Sequence, residues 1–215
     1  MTNRIINESF GPTIRTDKLS QRESVAVVIA AIEAEKPYIF CDAIEGLAYT
    51  DAWRDAFLAI RKKANPSMAF RLEMGGLWAL HGAMIRNALN DDLLLADALR
   101  KILPPYSGGD MTLYRGEGFK NRCKRAYGLC WTSEEPVARY FAKDRASDYP
   151  AGTVLLRAEV PKASIVASIH DLDPENGEFE YLVDRRFLKP AMIRVLERLP
   201  FTPRPVFRLA DFLPK

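Results

Sequence analysis

Apolar residues recur at helical spacing through the first half of the chain and at strand spacing through much of the second. Ser20-Gln21-Arg22-Glu23 has the form of a capping box and predicts a helix that ends near Pro37. Thr50 or Asp51 opens a second helix, with Trp53, Phe57, Leu58 and Ile60 on one side, stopping before Pro66. A third covers Met68 to Leu89, where Gly75-Gly76 either breaks it or lets another helix pack close. Asn90 caps a fourth, Asp91 to Ile102, with acids early and Arg100 and Lys101 late, the order that a helix dipole favours. Pro104-Pro105 ends it.

The stretch from Pro104 to Asp110, with Ser107-Gly108-Gly109, is a turn-rich joint. Beyond it the pattern predicts strands at 111–117, 128–133, 153–160, 164–168, 178–184 and 205–209. A helix at 134–144 carries Val137, Ala138, Tyr140, Phe141 and Ala142. The segment 190–199 fits helix or strand, and Met192, Val195 and Leu196 favour helix. The expected class is α+β, with a helical region over 1–106 and a β-rich core over 107–215.

Composition narrows this picture modestly. Hydrophobic residues make up 48% and charged residues 27% of the 215, ordinary for a soluble globular protein. A net charge of +3 does not announce nucleic acid by itself. Cys41, Cys123 and Cys130 have no metal-ligand spacing and leave one unpaired, so a reduced, cytosolic setting is expected and no metal. With only His81 and His170, a His/Cys zinc site or a Ser/His/Asp triad has little to draw on. The polar stretch from Met1 to Phe10 lacks a signal-peptide pattern, and the longest apolar run, Val25 to Ile32, is too short to span a bilayer.

Three short segments carry the chemistry: Leu113-Tyr114-Arg115-Gly116-Glu117, Gly128-Leu129-Cys130-Trp131-Thr132-Ser133, and Glu178-Phe179-Glu180-Tyr181-Leu182-Val183. In sequence order they give an arginine, a Thr-Ser strand end and a carboxylate pair at i, i+2. This set resembles the Arg–Ser–Glu triad of the ADP-ribosyltransferase superfamily, of the mono-ADP-ribosyltransferase, toxin or effector-like kind. The resemblance covers roughly 107–215 and implies a core of two packed sheets around a cleft for NAD, which is substrate rather than resident cofactor.

The resemblance implies a role for each residue, and physical chemistry allows it. Arg115 would grip the NAD phosphates, as a planar guanidinium can. Gly116 would let nicotinamide approach the backbone. Glu180 would be the catalytic carboxylate, stabilising the charge that builds on the ribose as nicotinamide leaves. Glu178, on the same strand face, would prepare the acceptor. The family's middle motif is commonly Ser-Thr-Ser. Here Trp131 stands in the first place, so either Thr132 or Ser133 supports the glutamate, or Trp131 is a stacking wall for nicotinamide; core packing is its other reading. Ser133, followed by Glu134-Glu135-Pro136, also has the form of a helix N-cap.

Lys120, Arg122, Lys124 and Arg125, with Tyr127 nearby, make either a solvated loop or a surface for an anionic target. The expected activity is transfer of ADP-ribose to a macromolecular acceptor, protein or nucleic acid. Such an enzyme of bacterial or phage conflict can have an inhibitory partner protein. NAD glycohydrolase activity, or a non-enzymatic RNA- or protein-binding module, is the alternative. Enzyme and binder differ in geometry: Arg115 and Glu180 must open on one cleft, with Trp131-Thr132-Ser133 beside it.

Overall fold

A computed structural model describes residues 18–175 and 177–204. The expected strand at 205–209 and the polar N-terminal stretch lie outside the described residues. The chain divides into two compact units, Met1–Pro104 and Pro105–Lys215.

The first unit is helical: α1 (Gln21–Glu33), α2 (Pro37–Gly46), α3 (Trp53–Lys63), α4 (Met68–Leu89) and α5 (Asp92–Ile102). The capping box forms as the sequence predicts, with Ser20 accepting from the Glu23 N–H and Glu23 accepting from the Ser20 N–H. The core takes one stripe from each helix, including Val28, Phe40, Phe57, Phe70 and Leu95. The rings of Phe40 and Phe70 meet edge to face at 6.0 Å.

Local details differ from the sequence expectations. α2 is an additional helix, because Pro37 occupies its first turn, where its missing N–H costs nothing. α3 starts at Trp53 behind Ala52 rather than at Thr50 or Asp51. α4 runs unbroken through Gly75-Gly76. Asn90 does not cap α5; it ends α4 in the left-handed conformation, and Asp91 caps α5 by accepting from the Leu94 N–H at 3.0 Å.

The second unit contains β1 (Met111–Gly118), α6 (Phe119–Lys124), β2 (Cys130–Thr132), α7 (Glu135–Asp144), β3 (Thr153–Val160), β4 (Ile165–Ser168), α8 (Ile169–Leu172), β5 (Glu180–Val183) and β6 (Ile193–Leu199). All six strands are antiparallel neighbours in one sheet of order β4-β5-β2-β1-β3-β6. Among the described residues, one sheet thus stands where two packed sheets were expected. Its two three-stranded halves meet at a single paired row, Tyr114 opposite Thr132. β1 and β3, by contrast, pair along their whole length, from Met111 opposite Val160 to Gly118 opposite Thr153.

The alternation on β1 and β3 builds one apolar face with Leu113, Val154, Leu156 and Ala158, to which Trp131 and Tyr181 belong. β6 corrects the helical preference assigned to 190–199. Most of its side chains are exposed, so Val195 and Leu196 reflect a strand beside β3 and not a buried helix stripe. No helix among the described residues is long and apolar enough to cross a membrane.

Candidate functional site

The three motif segments, far apart in sequence, fall on the adjacent strands β1, β2 and β5. Their register is specific. Thr132 lies opposite Tyr114 on one side and opposite Glu180 on the other. Tyr114, Thr132 and Glu180 therefore form one cross-strand row and share a sheet face. Thr132 is the last residue of β2 and Glu180 the first of β5, so the row sits at the end of their ladder. Of the two hydroxyls that could support Glu180, Thr132 is the one directly across. Its Oγ1 accepts from the Glu134 N–H at 3.1 Å, and a hydroxyl that accepts one bond keeps its own proton to donate.

Arg115 is one step off this row, where β1 and β2 stop pairing. Alternation turns it to the other face of β1, where it is 6% exposed. Its Nε donates to Glu117 Oε2 at 2.7 Å and its Nη1 donates to the Cys130 carbonyl. Arg115 and Glu180 thus lie toward opposite faces of the sheet and do not open together on one cleft as the resemblance implies.

Glu117, not among the expected site residues, is the most engaged side chain of the region. It is 2% exposed and accepts four bonds, from Arg115 Nε, the Gly118 and Gly128 N–H groups and Asn121 Nδ2, at 2.7–3.0 Å. A carboxylate has about four acceptor positions, so its capacity is filled. Burial pushes its pKa up, and the Arg115 guanidinium, the Gly128 N–H and the Asn121 amide outweigh burial, holding it at about 2. Arg115 and Glu117 together bridge β1 to the run into β2, taking over where ladder bonds are missing. The Arg-x-Glu spacing on a strand was the available signal, since i and i+2 share a face.

Three of the expected binding residues are occupied within the fold. Trp131 is 2% exposed, packs edge to face on Tyr127 at 6.2 Å, and donates from Nε1 to the Gly128 carbonyl at 3.1 Å. It is a core residue and not a stacking wall. The side-chain direction of Gly116 is filled by α7: a Cβ there would lie 2.5 Å from Ala142 N and 2.7 Å from Ala138 O. Its missing side chain admits a helix rather than nicotinamide. Ser133 is not an N-cap by its side chain, because Glu134 holds that position and Thr132 bonds its N–H. The Ser133 N–H instead donates to the Phe179 carbonyl at 3.3 Å, extending the β2/β5 pairing.

The carboxylate pair is also corrected. β5 begins at Glu180, and Phe179 has φ of 48°, in the left-handed region that few aromatic residues occupy. This kink interrupts strand alternation, so Glu178 does not share a strand face with Glu180. Glu178 is exposed, whereas Glu180 is half-buried. The His170 ring lies against Phe179, with centroids 4.8 Å apart, and holds the kink from the α8 side. Strain of this kind persists where surrounding structure fixes it, and it clusters at functional sites. His170 was not singled out from the sequence.

Around the row, α6 turns the expected basic loop into a short helix. Arg122 approaches the Tyr127 ring at 6.0 Å, Arg185 Nη1 donates to the Tyr127 carbonyl at 2.9 Å, and Arg198 lies 4.0 Å from the Phe119 ring. Lys120, Lys124 and Arg125 are exposed. Among the described residues, no group of three or more His, Cys, Asp or Glu side chains is placed to hold a metal ion. No family model, no curated protein and no solved structure matches the chain.

Proposed function

We propose that the β-rich unit is a mono-ADP-ribosyltransferase that takes NAD as substrate, releases nicotinamide and transfers ADP-ribose to a macromolecular acceptor. The observation that carries this is the cross-strand pair Thr132/Glu180 beside the one-row junction of the half-sheets. The motif resemblance alone asks for such a hydroxyl and carboxylate on neighbouring strands. In this reading the substrate enters beside the single-row junction of the half-sheets.

Glu180 is the catalytic carboxylate in this reading. As the bond from ribose to nicotinamide breaks, its negative charge opposes the positive charge on the ribose. Thr132 orients it from the next strand. Arg115 acts as a positioning residue, because its Nε and Nη1 are committed to Glu117 and to Cys130 and fix the break. Glu178, exposed at the mouth of the kink, meets the acceptor. In this reading the protein acts inside a cell, as an effector or conflict protein.

The test is incubation of the purified protein with lysate and NAD labelled in its ADP-ribose part, followed by separation of protein and nucleic acid. Label bound covalently to either fraction, with nicotinamide released, supports the proposal and fixes the acceptor class. Free ADP-ribose with no bound label identifies an NAD glycohydrolase. No nicotinamide release rejects both enzymes.

A further inference from the structure

Antiparallel pairing brings the exit of β1, the entrance of β2, the exit of β5 and the last residues of β6 to one end of the sheet. There the Val183 N–H donates to the Leu129 carbonyl, and Thr153 lies between Gly118 on one side and Leu199 on the other. The chain that enters and leaves at this end is strongly basic. Residues 118–130 hold Lys120, Arg122, Lys124 and Arg125 and no acid, and residues 185–189 hold Arg185, Arg186 and Lys189 and no acid. Arg198 adds a further cation from β6; its neighbour Glu197 is paired with Arg139. The two carboxylates that border these segments are engaged within the fold. Glu117 is buried with its acceptor capacity filled, and the Asp184 side chain is 0% exposed and bonded to Arg186.

Side-chain contacts draw these segments into one rim. Arg122 approaches the Tyr127 ring from α6, and Arg185 donates to the Tyr127 carbonyl from beyond β5. Arg198 reaches from β6 to within 4.0 Å of the ring of Phe119, the first residue of α6. Lys120, Lys124, Arg125, Arg186 and Arg198 are exposed. Arg125 has φ of 55° at the end of α6, the left-handed conformation that favours glycine, so a cation stands where backbone preference alone argues against it. Like charges gathered without an exposed acid repel one another and oppose compactness. An anionic partner removes that repulsion. The rim also carries a ring: Phe187, in the same turn as Arg185 and Arg186, is 50% exposed.

We propose that this rim binds single-stranded nucleic acid. Cations spread over several elements suit a partner that repeats its charge, and the arginine fork fits phosphate oxygens. The exposed ring decides among polyanions. Bases stack on aromatic side chains beside a basic track, a contact that an acidic peptide or an anionic headgroup does not need. From β5 to β6 the rim crosses four strand spacings, ~19 Å in all. That length suits roughly four nucleotides, the small end of single-strand site sizes. The inference rests on charge placement and on Phe187, and it does not depend on the proposed transfer activity.

The test is fluorescence anisotropy with the full chain and a short labelled oligonucleotide, RNA and DNA in separate arms, without NAD. Binding should weaken with salt, log K against log salt falling with a slope of about −3 for four neutralised phosphates. Lys120→Glu together with Lys124→Glu should weaken binding at least ~10-fold and flatten the slope by about 1.4, two contacts fewer. Lys62→Glu together with Lys63→Glu makes the same charge change on exposed residues of α3 and should alter neither quantity. Phe187→Ala should weaken binding roughly 10-fold and leave the slope unchanged, because it removes stacking and no charge. Circular dichroism checks that each variant keeps its fold. A wild-type chain that binds neither strand overturns the proposal. So does equal weakening by the two pairs of reversals, or preference for phosphatidylserine vesicles over both strands. Unchanged affinity in Phe187→Ala overturns the assignment to single strands.

Discussion

The two units of this protein are held together by different means, and the difference decides how each is read and how each fails. The helical unit rests on repeated local devices: a capping box at Ser20, side-chain caps at Ser67 and Asp91, and an apolar stripe on every helix. Each cap acts within one turn of chain and is worth about 1 kcal/mol. The β-rich unit rests on a few long-range, buried polar links. Arg115 and Glu117 join β1 to the approach of β2 across eleven or more residues of chain, in a place where the ladder has one row. The first kind of stability is graded. The second kind is all or none, because a buried charge that loses its partner is left uncompensated.

The comparison breaks most visibly at Glu117. Glu117→Ala leaves the Arg115 guanidinium buried without its carboxylate, and we expect a loss of about 3–5 kcal/mol. Urea unfolding followed by near-ultraviolet circular dichroism should show the transition of the β-rich unit moving alone; equal shifts of both units would contradict the distinction. Arg115→Lys should behave in the same direction, since a lysine lacks the fork that reaches Glu117 and the Cys130 carbonyl together.

Acid should reproduce this effect without mutation. The folded-state pKa of Glu117 is depressed, so its stabilisation is complete above the ordinary carboxylate range near 4.5 and is lost as pH falls toward 2. A shift of that size corresponds to about 3 kcal/mol. The β-rich unit should therefore lose stability between pH 5 and 2, and Glu117→Gln should flatten that dependence. An unchanged acid profile in the variant would remove Glu117 from the explanation.

A smaller effect is expected at Gly116. Gly116→Ala drives a methyl against Ala142 N and Ala138 O, atoms of α7 backbone that cannot rotate away. Overpacking of this kind costs about 1–3 kcal/mol, read as a lower melting temperature. A neutral result would mean that α7 slides freely on the sheet. The smallest change is Ser20→Ala, which removes one cap and costs about 1 kcal/mol. It should lower the helical transition only.

The same contrast explains what the sequence made legible. Helices with caps and stripes were readable, as were 111–117 and 153–160, whose alternation survives because one face is buried. Pro37 misled because proline stops one helix and starts another equally well. β6 misled because a mostly exposed strand has no alternation to display. Within the site, the strand neighbours Thr132 and Glu180 were within reach of motif spacing. The bend at Phe179 was not, because nothing in a phenylalanine signals positive φ. The role of Glu117 was half legible: its spacing from Arg115 was visible, but its bond to the Gly128 N–H exists only after folding.

The central proposal concerns Glu180, and one measurement bears on it directly: nicotinamide release from NAD by the wild type and by Glu180→Gln, each checked for an unchanged melting temperature. The amide keeps the shape and removes the charge. We predict that the wild type releases nicotinamide and that the variant is slower by about 10²–10³-fold, by analogy with the loss of one preorganised electrostatic contact to a transition state. Equal release by a well-folded Glu180→Gln protein, or no release by the wild type with lysate supplying acceptors, would contradict the proposed chemistry.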